Sequence, residues 1–175
     1  EEGNPDQLEY INDIETGIDR LNIYIEKLNN FSRNIANNPQ KVDENAINYW
    51  INIAKSICKN ANINLIVTKS EPSTIKLDRE QIAVAIQNII VNSTEHSPKN
   101  SNIYLTFENQ KNYYQITVKD QGPGFKKEIL DKIPQKNLTT KTDKIKHGMG
   151  LVMVDEILKS NKGRLNLGNY QKDSK

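Results

Sequence analysis

The sequence predicts an α+β protein in which a mixed β-sheet carries helices on one face and follows a long helix. Three observations support this fold class. Apolar residues near the start repeat every three or four positions, helical and strand periods then alternate along the chain, and a hairpin lies in the middle. A hairpin between alternating helices and strands is typical of a mixed-sheet sandwich.

The length of the chain indicates one domain, or one domain with an appendage. The 175 residues carry 24 Lys and Arg against 22 Asp and Glu, and a net charge of only +2 does not favour a nucleic-acid partner. No apolar run approaches the roughly 18 residues of a membrane helix, and no signal-peptide pattern opens the sequence. The single Cys58 cannot form an internal disulfide, and no Cys/His cluster has metal-ligand spacing.

The first 38 residues predict a long helix with a narrow apolar seam. The seam has a 3-4-3-4-3 spacing, formed by Ile11, Ile14, Ile18, Leu21, Ile25 and Leu28. This spacing is typical of a coiled coil or helical bundle. A helix of about 30 residues would be about 45 Å long, whereas a compact domain of this size has a radius of gyration of about 16 Å. We therefore expect it to protrude and pair with another helix; the alternative is a long core helix of the same domain.

Residues 39–175 predict further helices from broad apolar stripes and capping residues. Asp43 begins one helix, whose stripe includes Cys58 as a buried small hydrophobe, and Asp78 begins another with a capping box completed by Gln81. A short helix is expected over about Lys127–Ile133. A last helix should start at about Gly150 and end with Gly163 as its C-terminal cap.

Strands are predicted where apolar and polar residues alternate. The middle pair forms the hairpin, because a polar turn joins its two members. The predicted strands are Ile63–Val67, Ile75–Leu77, Ile103–Phe107, Tyr114–Val118 and Leu165–Leu167.

Two amides on one helix are the first feature that suggests chemistry. Asn88 and Asn92 are four residues apart and share a helix face, which His96 extends by one turn. Amide oxygens suit a hydrated divalent cation that also binds phosphates. A solvated polar helix face is the ordinary alternative.

Two glycine-rich segments are the other features. Asp120-Gln-Gly-Pro-Gly-Phe125 follows a strand, where glycines let the backbone approach a ligand and the carboxylate can accept from an exocyclic amine; a tight turn is the alternative. Gly148-Met-Gly150-Leu151 opens a helix, whose N–H groups suit phosphate, and Leu138-Thr-Thr-Lys141 before it adds hydroxyls and a cation. A helix start with glycines is the alternative there.

In this order and spacing, the three features resemble the ATP-binding catalytic domain of sensor histidine kinases, in the GHKL superfamily with its Bergerat-type sandwich. Asn88-Ile-Ile-Val-Asn92-Ser-Thr-Glu-His96 resembles the N box, Asp120-Gln-Gly122-Pro-Gly124 the D-x-G-x-G box, and Gly148-Met-Gly150-Leu151 the second glycine box. Ile18–Leu21 through Leu28–Arg33 is similar to the second helix of the dimerisation and phosphoacceptor hairpin.

The resemblance implies a role for each matching residue. Asn92 would coordinate Mg²⁺ on the ATP phosphates, with Asn88 supporting it or orienting the γ-phosphate. Asp120 would bind the adenine amino group. The remaining implied ATP-binding residues are Glu95, His96, Gly122, Gly124, Thr139, Thr140, Lys141, Gly148, Met149, Gly150 and Leu151. The segment Pro134–His147 would be the ATP lid.

The resemblance also implies the wider context. The γ-phosphate would go to a histidine on the first hairpin helix, which this sequence does not contain, and then to a response regulator receiver domain. The parent would be a homodimeric, membrane-anchored bacterial sensor with this part in the cytoplasm. Because no closing motif follows Leu167, we expect the domain to be truncated at its C terminus. Glu95 departs from the family, where many members carry Lys or Arg.

Two other functions stay open at this point. One is another GHKL ATPase or an anti-sigma-factor-like serine kinase, against which the heptad helix argues. The other is a catalytically silent nucleotide-binding regulatory module. Neither His96 nor His147 fits the position of the family's phosphoacceptor.

Overall fold

The computed structural model describes residues 38–127, 130 and 148–169, without the side chains of 148 and 149. The chain divides into two units, Glu1–Asn37 and Asn38–Lys175, and the described residues all belong to the second. The long helix predicted over residues 1–38 therefore lies, apart from Asn38, outside the described residues. It stays a prediction, together with its boundary to residues 39–175.

The described residues contain three helices and five strands. The helices are α1 (Glu44–Asn60), α2 (Arg79–His96) and α3 (Gly148–Ser160). The strands are β1 (Pro39–Lys41), β2 (Asn64–Lys69), β3 (Lys76–Asp78), β4 (Asn102–Asn109) and β5 (Tyr114–Lys119).

The main sheet has three strands in the order β2-β4-β5. Strand β2 is parallel to β4, and β4 is antiparallel to β5, so the sheet is mixed, as predicted. The register pairs Leu65 with Ile103 and Phe107 with Ile116, which places the apolar residues of neighbouring strands on one face. A separate antiparallel pair, β1 and β3, precedes α2. The predicted α+β class is confirmed.

The core lies between the main sheet and the helices. Ile103, Leu105 and Phe107 are fully buried on β4, whereas Tyr104 on the opposite face is exposed. Trp50 of α1 stacks on Phe107 with ring centroids 6.2 Å apart. Each fully buried side chain of this size contributes about 1.5–3 kcal/mol by leaving water. The alternation of buried and exposed side chains along β4 thus determines which face of the main sheet the helices cover.

The helix starts differ from the prediction in one respect. Asp43 caps α1 as expected, accepting from the Ala46 N–H at 2.8 Å. Asp78 caps α2 by accepting from the N–H groups of Glu80 and Gln81. The reciprocal bond of a capping box is replaced, because the Asp78 N–H donates to Asn161 Oδ1 at 2.9 Å. Asn161, which follows α3, therefore accepts the Asp78 N–H hydrogen bond that the capping box predicted for Gln81.

The end of α3 also corrects the prediction. The left-handed residue is Lys162 (φ 58°), and Gly163 follows it. The Gly163 N–H donates to Leu158 O at 2.7 Å and the Lys162 N–H to Lys159 O at 3.0 Å, which is a Schellman motif. Gly163 closes the helix without being the left-handed cap. The helix begins at Gly148, two residues before the predicted start.

Two further predicted elements have different outcomes. Residues 163–169 form no strand in the structure, although Leu165 and Leu167 are half-buried in alternation, so the predicted last strand is wrong for these residues. For the short helix over about Lys127–Ile133, Lys127 and Leu130 are helical and the other residues lie outside the described residues. None of the described helices is both long and apolar enough to cross a membrane.

Candidate functional site

Helix α2 forms one wall of the candidate site. Asn88 and Asn92 are both half-buried on it, and Glu95 and His96 are exposed at its C-terminal end. The buried side of the same helix carries Ile82, Ile86 and Ile90. The Ile face fixes the rotation of α2 against the core, and the two amides therefore stay at the edge of the buried surface.

The amide of Asn88 has a defined orientation. Its Nδ2 donates to Val84 O at 2.8 Å, one turn earlier, and lies 3.8 Å from Met153 Sδ of α3. A Cβ built on Gly150 would lie 3.5 Å from Asn88 Oδ1. The first turn of α3 therefore lies against Asn88. The N–H groups of that turn have no partners within the helix.

Asn92 has a different environment. It makes no side-chain hydrogen bond to another residue in the described ranges, so its amide oxygen can accept a ligand. Among those same residues there is no group of three or more His, Cys, Asp or Glu side chains that could hold a metal. Mg²⁺ on nucleotide phosphates needs only one or two protein ligands and keeps several waters. A single amide oxygen from Asn92 fits that coordination.

The loop after β5 is fixed by side chains at its start. Asp120 Oδ1 accepts from the Gly122 N–H at 2.9 Å, which folds the exposed carboxylate over its own turn. Gln121 Oε1 accepts from the Asn102 N–H at 2.8 Å, at the beginning of β4. The turn engages Oδ1, whereas Oδ2 of Asp120 accepts no hydrogen bond from the described residues.

Gly122 brings this loop against the end of α2. A Cβ at residue 122 would lie 2.9 Å from His96 O and 3.3 Å from His96 C. Both atoms are backbone, so neither can rotate away, and only glycine fits without a shift of the loop. The structure thus explains Gly122 by contact with α2; its predicted role of admitting the base stays a prediction.

Gly124 is explained by its backbone conformation and by a residue that the sequence did not indicate. Its φ is +78°, which favours glycine, and a Cβ there would lie 2.7 Å from Asn169 Oδ1. Asn169 Oδ1 accepts from the Phe125 N–H at 2.7 Å, and Asn169 Nδ2 donates to Phe125 O at 2.8 Å. Asn169 belongs to no periodic pattern or motif. Asn and Gln residues are frequent in the predicted loops of this chain, so a single one does not stand out.

A second polar cluster joins α2 to α3 through Ser160 and Asn161, two partners that the sequence did not indicate. Gln81, which is buried, accepts through Oε1 from Ser160 Oγ at 2.8 Å and from Asn161 Nδ2 at 2.9 Å. Asp78 Oδ2 also accepts from the Asn38 N–H at 2.9 Å. The cluster anchors the end of α3 to the start of α2, and so helps to place Gly150 beside Asn88.

The predicted site residues therefore fall into two groups. The structure brings Asn88 to Gly150 and His96 to Gly122 along one helix, and Leu151 is half-buried on α3. Thr139, Thr140, Lys141 and the Met149 side chain, with the predicted lid Pro134–His147, lie outside the described residues. Cys58 is buried as predicted, and burial raises the pKa of its thiol, which keeps it neutral.

The sequence comparison identifies the family. Residues 77–174, more than half of the chain, match the family described as "Histidine kinase-, DNA gyrase B-, and HSP90-like ATPase". The chain belongs to this ATPase family. The matched range includes α2, the Asp120 loop and α3, which are the elements that carry the candidate site.

Individual relatives of the ATPase domain are sensor kinases. Sporulation kinase A of Bacillus subtilis is 26% identical over 141 residues, which cover 74% of this chain and 23% of that protein. The C4-dicarboxylate transport sensor protein DctB of Pseudomonas aeruginosa is 25% identical over 169 residues, covering 93% and 27%. The chain thus spans about a quarter of the length of these relatives.

Solved structures agree with the ATPase fold. The catalytic domain of histidine kinase ThkA has a TM-score of 0.56 at 22% identity, covering 71% of this chain and 82% of that one. Histidine kinase AdeS of Acinetobacter baumannii has a TM-score of 0.60 at 17% identity, covering 90% and 75%. The resemblance to the catalytic ATP-binding domain of histidine kinases is confirmed, and with it the GHKL fold.

Proposed function

We propose that this domain binds Mg-ATP and transfers the γ-phosphate to a histidine on a separate hairpin helix, for relay to a response regulator receiver domain. The observation that carries the proposal is the convergence of three predicted boxes on α2. Gly150 lies beside Asn88, and Gly122 lies against the backbone of His96. One wall therefore faces both the phosphate and the base ends of a nucleotide.

Each group has a role that its chemistry supports. Asn92 would supply an amide oxygen to Mg²⁺, and the α3 N-terminus at Gly148–Gly150 would hold phosphate oxygens through N–H groups. Asp120 would accept from the adenine amino group through the oxygen that its turn leaves open. Bound Mg²⁺ would neutralise phosphate charge. Glu95 is exposed near this end of α2 and adds a negative charge there.

The transfer itself needs little covalent help from the domain. A nitrogen of the acceptor histidine forms a bond to the γ-phosphorus while the bond to the bridging oxygen of ADP breaks, and ADP leaves. Such reactions depend chiefly on positioning and charge neutralisation. The residues of α2 and α3 are suited to both tasks, since their backbones are held by the core.

The wider context is proposed by analogy with the relatives. A structure of ThkA "in complex with response regulator protein TrrA" has a TM-score of 0.63 at 23% identity and covers 91% of this chain and 46% of that one. We propose that the parent of this chain also acts on a response regulator, and that it is a membrane-anchored bacterial sensor that dimerises through a helical bundle. The ATPase domain would act on its cytoplasmic side.

Nucleotide binding is tested by titration calorimetry with Mg-ADP. We expect the wild-type chain to bind and Asp120→Asn to bind at least about tenfold more weakly, because the amide is neutral and has one oxygen where the carboxylate has one for the Gly122 N–H and one for the adenine amine. Glu108→Gln is the matched control, an exposed carboxylate on β4, and should bind like the wild type. If wild type, variant and control all fail to bind, the proposed site is wrong.

Transfer chemistry is tested by supplying a separate hairpin that carries an acceptor histidine. Incubation with labelled ATP and Mg²⁺ should yield acid-labile, base-stable phosphohistidine on the hairpin. Phosphoserine would instead support the serine-kinase alternative. Free phosphate alone would support another GHKL ATPase, and nucleotide binding without any transfer would support a silent module; each of these results overturns the histidine-kinase proposal.

A further inference from the structure

We infer that Asn169 is a positioning residue that holds the Asp120–Phe125 loop in its nucleotide-binding form. The inference rests on the proposed function and assigns a role outside the three boxes. Asn169 lies 44 residues after Phe125 and binds its backbone with both halves of the side-chain amide, at 2.7 and 2.8 Å. A side chain that both accepts from and donates to one residue imitates the pairing of a neighbouring strand.

The loop needs such a partner at its far end. Its beginning is held by Gln121, which binds the start of β4, and by Gly122, which lies against the His96 carbonyl. Neither contact fixes Phe125, which is beyond the left-handed Gly124. Residues 163–169 form no strand that could pair with this part of the loop. The amide of Asn169 therefore supplies the hydrogen bonds that strand pairing would provide.

The side chain of Asn169 also occupies the space that a side chain at residue 124 would need. A Cβ at residue 124 would lie 2.7 Å from Asn169 Oδ1 and 3.0 Å from its Cγ. The side chain of Asn169 fills the space beside a glycine that already has a positive φ. The two residues thus restrict each other, and the loop between Asp120 and Phe125 is held from both ends.

The contact links the two glycine boxes. Asn169 lies in the segment that leaves α3, and α3 begins with Gly148–Gly150. The end of α3 is itself fixed to α2 by Asn161 and Gln81. Asn169 therefore connects the base end of the proposed site to the same rigid unit that places its phosphate end.

Titration of the chain with Mg-ADP and with Mg-tripolyphosphate tests this inference. Tripolyphosphate has no base, so it should be indifferent to the Asp120 loop. We expect Asn169→Ala to bind Mg-ADP about tenfold more weakly, or about 1.4 kcal/mol, with unchanged tripolyphosphate affinity. Asn166→Ala is the matched control, an exposed amide three residues earlier in the same segment, and should match the wild type with both probes.

A double-mutant cycle separates positioning from general destabilisation. In the Asp120→Asn background, the effect of Asn169→Ala on Mg-ADP affinity should largely disappear, because Asn169 acts through the loop that presents Asp120. Hydrogen exchange at the Phe125 amide should accelerate in Asn169→Ala and stay unchanged in Asn166→Ala. Asn169→Gln retains both polar groups but displaces them by one methylene, so it should restore binding only in part.

The possible outcomes are distinct. If wild-type protein binds Mg-ADP and Asn169→Ala binds it equally well, the positioning role is overturned and the proposed function stands. Equal loss of ADP and tripolyphosphate affinity, or full additivity with Asp120→Asn, would show a merely structural role and would overturn it too. If the wild type binds no nucleotide at all, the proposed function itself fails.

Discussion

The two ends of α2 use polar side chains in opposite ways. At the N-terminal end, Asp78 and Gln81 are buried, at 6% and 8% exposure. The Asp78 carboxylate accepts three backbone N–H bonds, and Gln81 Oε1 accepts from Ser160 and Asn161. Buried polar groups satisfied in this way hold neighbouring elements in one arrangement.

Toward the C-terminal end, the residues of the candidate site are exposed or half-buried, although Ser93 beside them is buried. Asn88 uses only its Nδ2 in hydrogen bonds to other described residues, and Asn92 makes no side-chain hydrogen bond to any of them. The Gly122 backbone approaches His96 closely enough to exclude a Cβ. One end of the helix is therefore anchored, and the other carries the side chains that we propose bind the nucleotide. Substitutions at the two ends should consequently separate stability from binding.

The largest expected effect is on transfer by Asn92→Ala. Losing the proposed Mg²⁺ ligand should lower Mg-dependent phosphotransfer by about 100-fold or more, while the unfolding midpoint stays close to that of the wild type. Transfer to the supplied hairpin and thermal unfolding measure the two quantities. Gln87→Ala, an exposed amide on the same helix, is the control. If Asn92→Ala lost both its fold and its activity, Asn92 would have a structural role, like the residues at the start of α2.

The next effect is on stability, at the anchored end. Asp78→Ala removes a buried carboxylate that accepts three N–H bonds and should lower the free energy of unfolding by about 2 kcal/mol. Asp43→Ala removes one bond at the exposed cap of α1 and should cost about 1 kcal/mol. Urea denaturation measures both. The Mg-ADP affinity of the folded protein should not change, because the backbone N–H of residue 78, which binds Asn161 at the end of α3, is retained. If Asp43→Ala lowered the free energy of unfolding more than Asp78→Ala, the start of α2 would not be the more strongly anchored of the two helix starts.

A smaller effect on binding is expected from Gly122→Ala. The added Cβ would meet the His96 carbonyl, so the loop must shift and Mg-ADP affinity should fall about tenfold. Gly168→Ala is a matched control, because a Cβ at Gly168 meets nothing within 4 Å. Calorimetry on both variants measures the difference. Equal affinities would mean that the loop tolerates the shift and that the Gly122 contact does not position Asp120.

The smallest effect on stability is expected from Tyr114→Phe, at the start of β5 and away from the C-terminal end of α2. Tyr114 Oη is buried without a hydrogen-bond partner among the described residues, so its removal should change stability by at most about 1 kcal/mol at pH 7. Burial raises the pKa of the phenol to about 12. The unfolded value is near 10, so stability is fully present below about pH 10 and is lost as pH rises toward 12.

The pH dependence follows from that sign. Between about pH 10 and 12, wild-type protein should lose unfolding free energy relative to Tyr114→Phe. Tyr113→Phe, whose side chain is 56% exposed, should follow the wild type. Urea unfolding at several pH values measures the difference. An unchanged difference across this range would show that Tyr114 is solvated in the folded protein.

The sequence predicted elements that depend on apolar burial. The alternation of Ile103, Leu105 and Phe107 identified β4 and its inward face, because those side chains must leave water in any fold that forms this sheet. Asp43 was identified as a cap because its bond is made within one turn. The order of the three boxes was enough to indicate the family and hence the fold.

What the sequence could not predict are polar contacts over long separations. Asn161 takes the place expected for Gln81 beside Asp78, and Asn169 binds Phe125, although neither has a periodic or local signal. The alternation at Leu165 and Leu167 predicted a strand, but pairing also needs a neighbouring strand in register. The proximity of Asn88 to Gly150 likewise appears only in the structure.

Amide hydrogen exchange with and without Mg-ADP tests the difference between the two ends of α2 most directly. We predict slower exchange on binding at Asn92–His96 and at Gly122, Gly124 and Phe125, with no change at Asp78–Gln81, where the amides are already held by the buried network. Protection confined to the Asp78 end, or an absence of change in the presence of saturating Mg-ADP, would contradict the account.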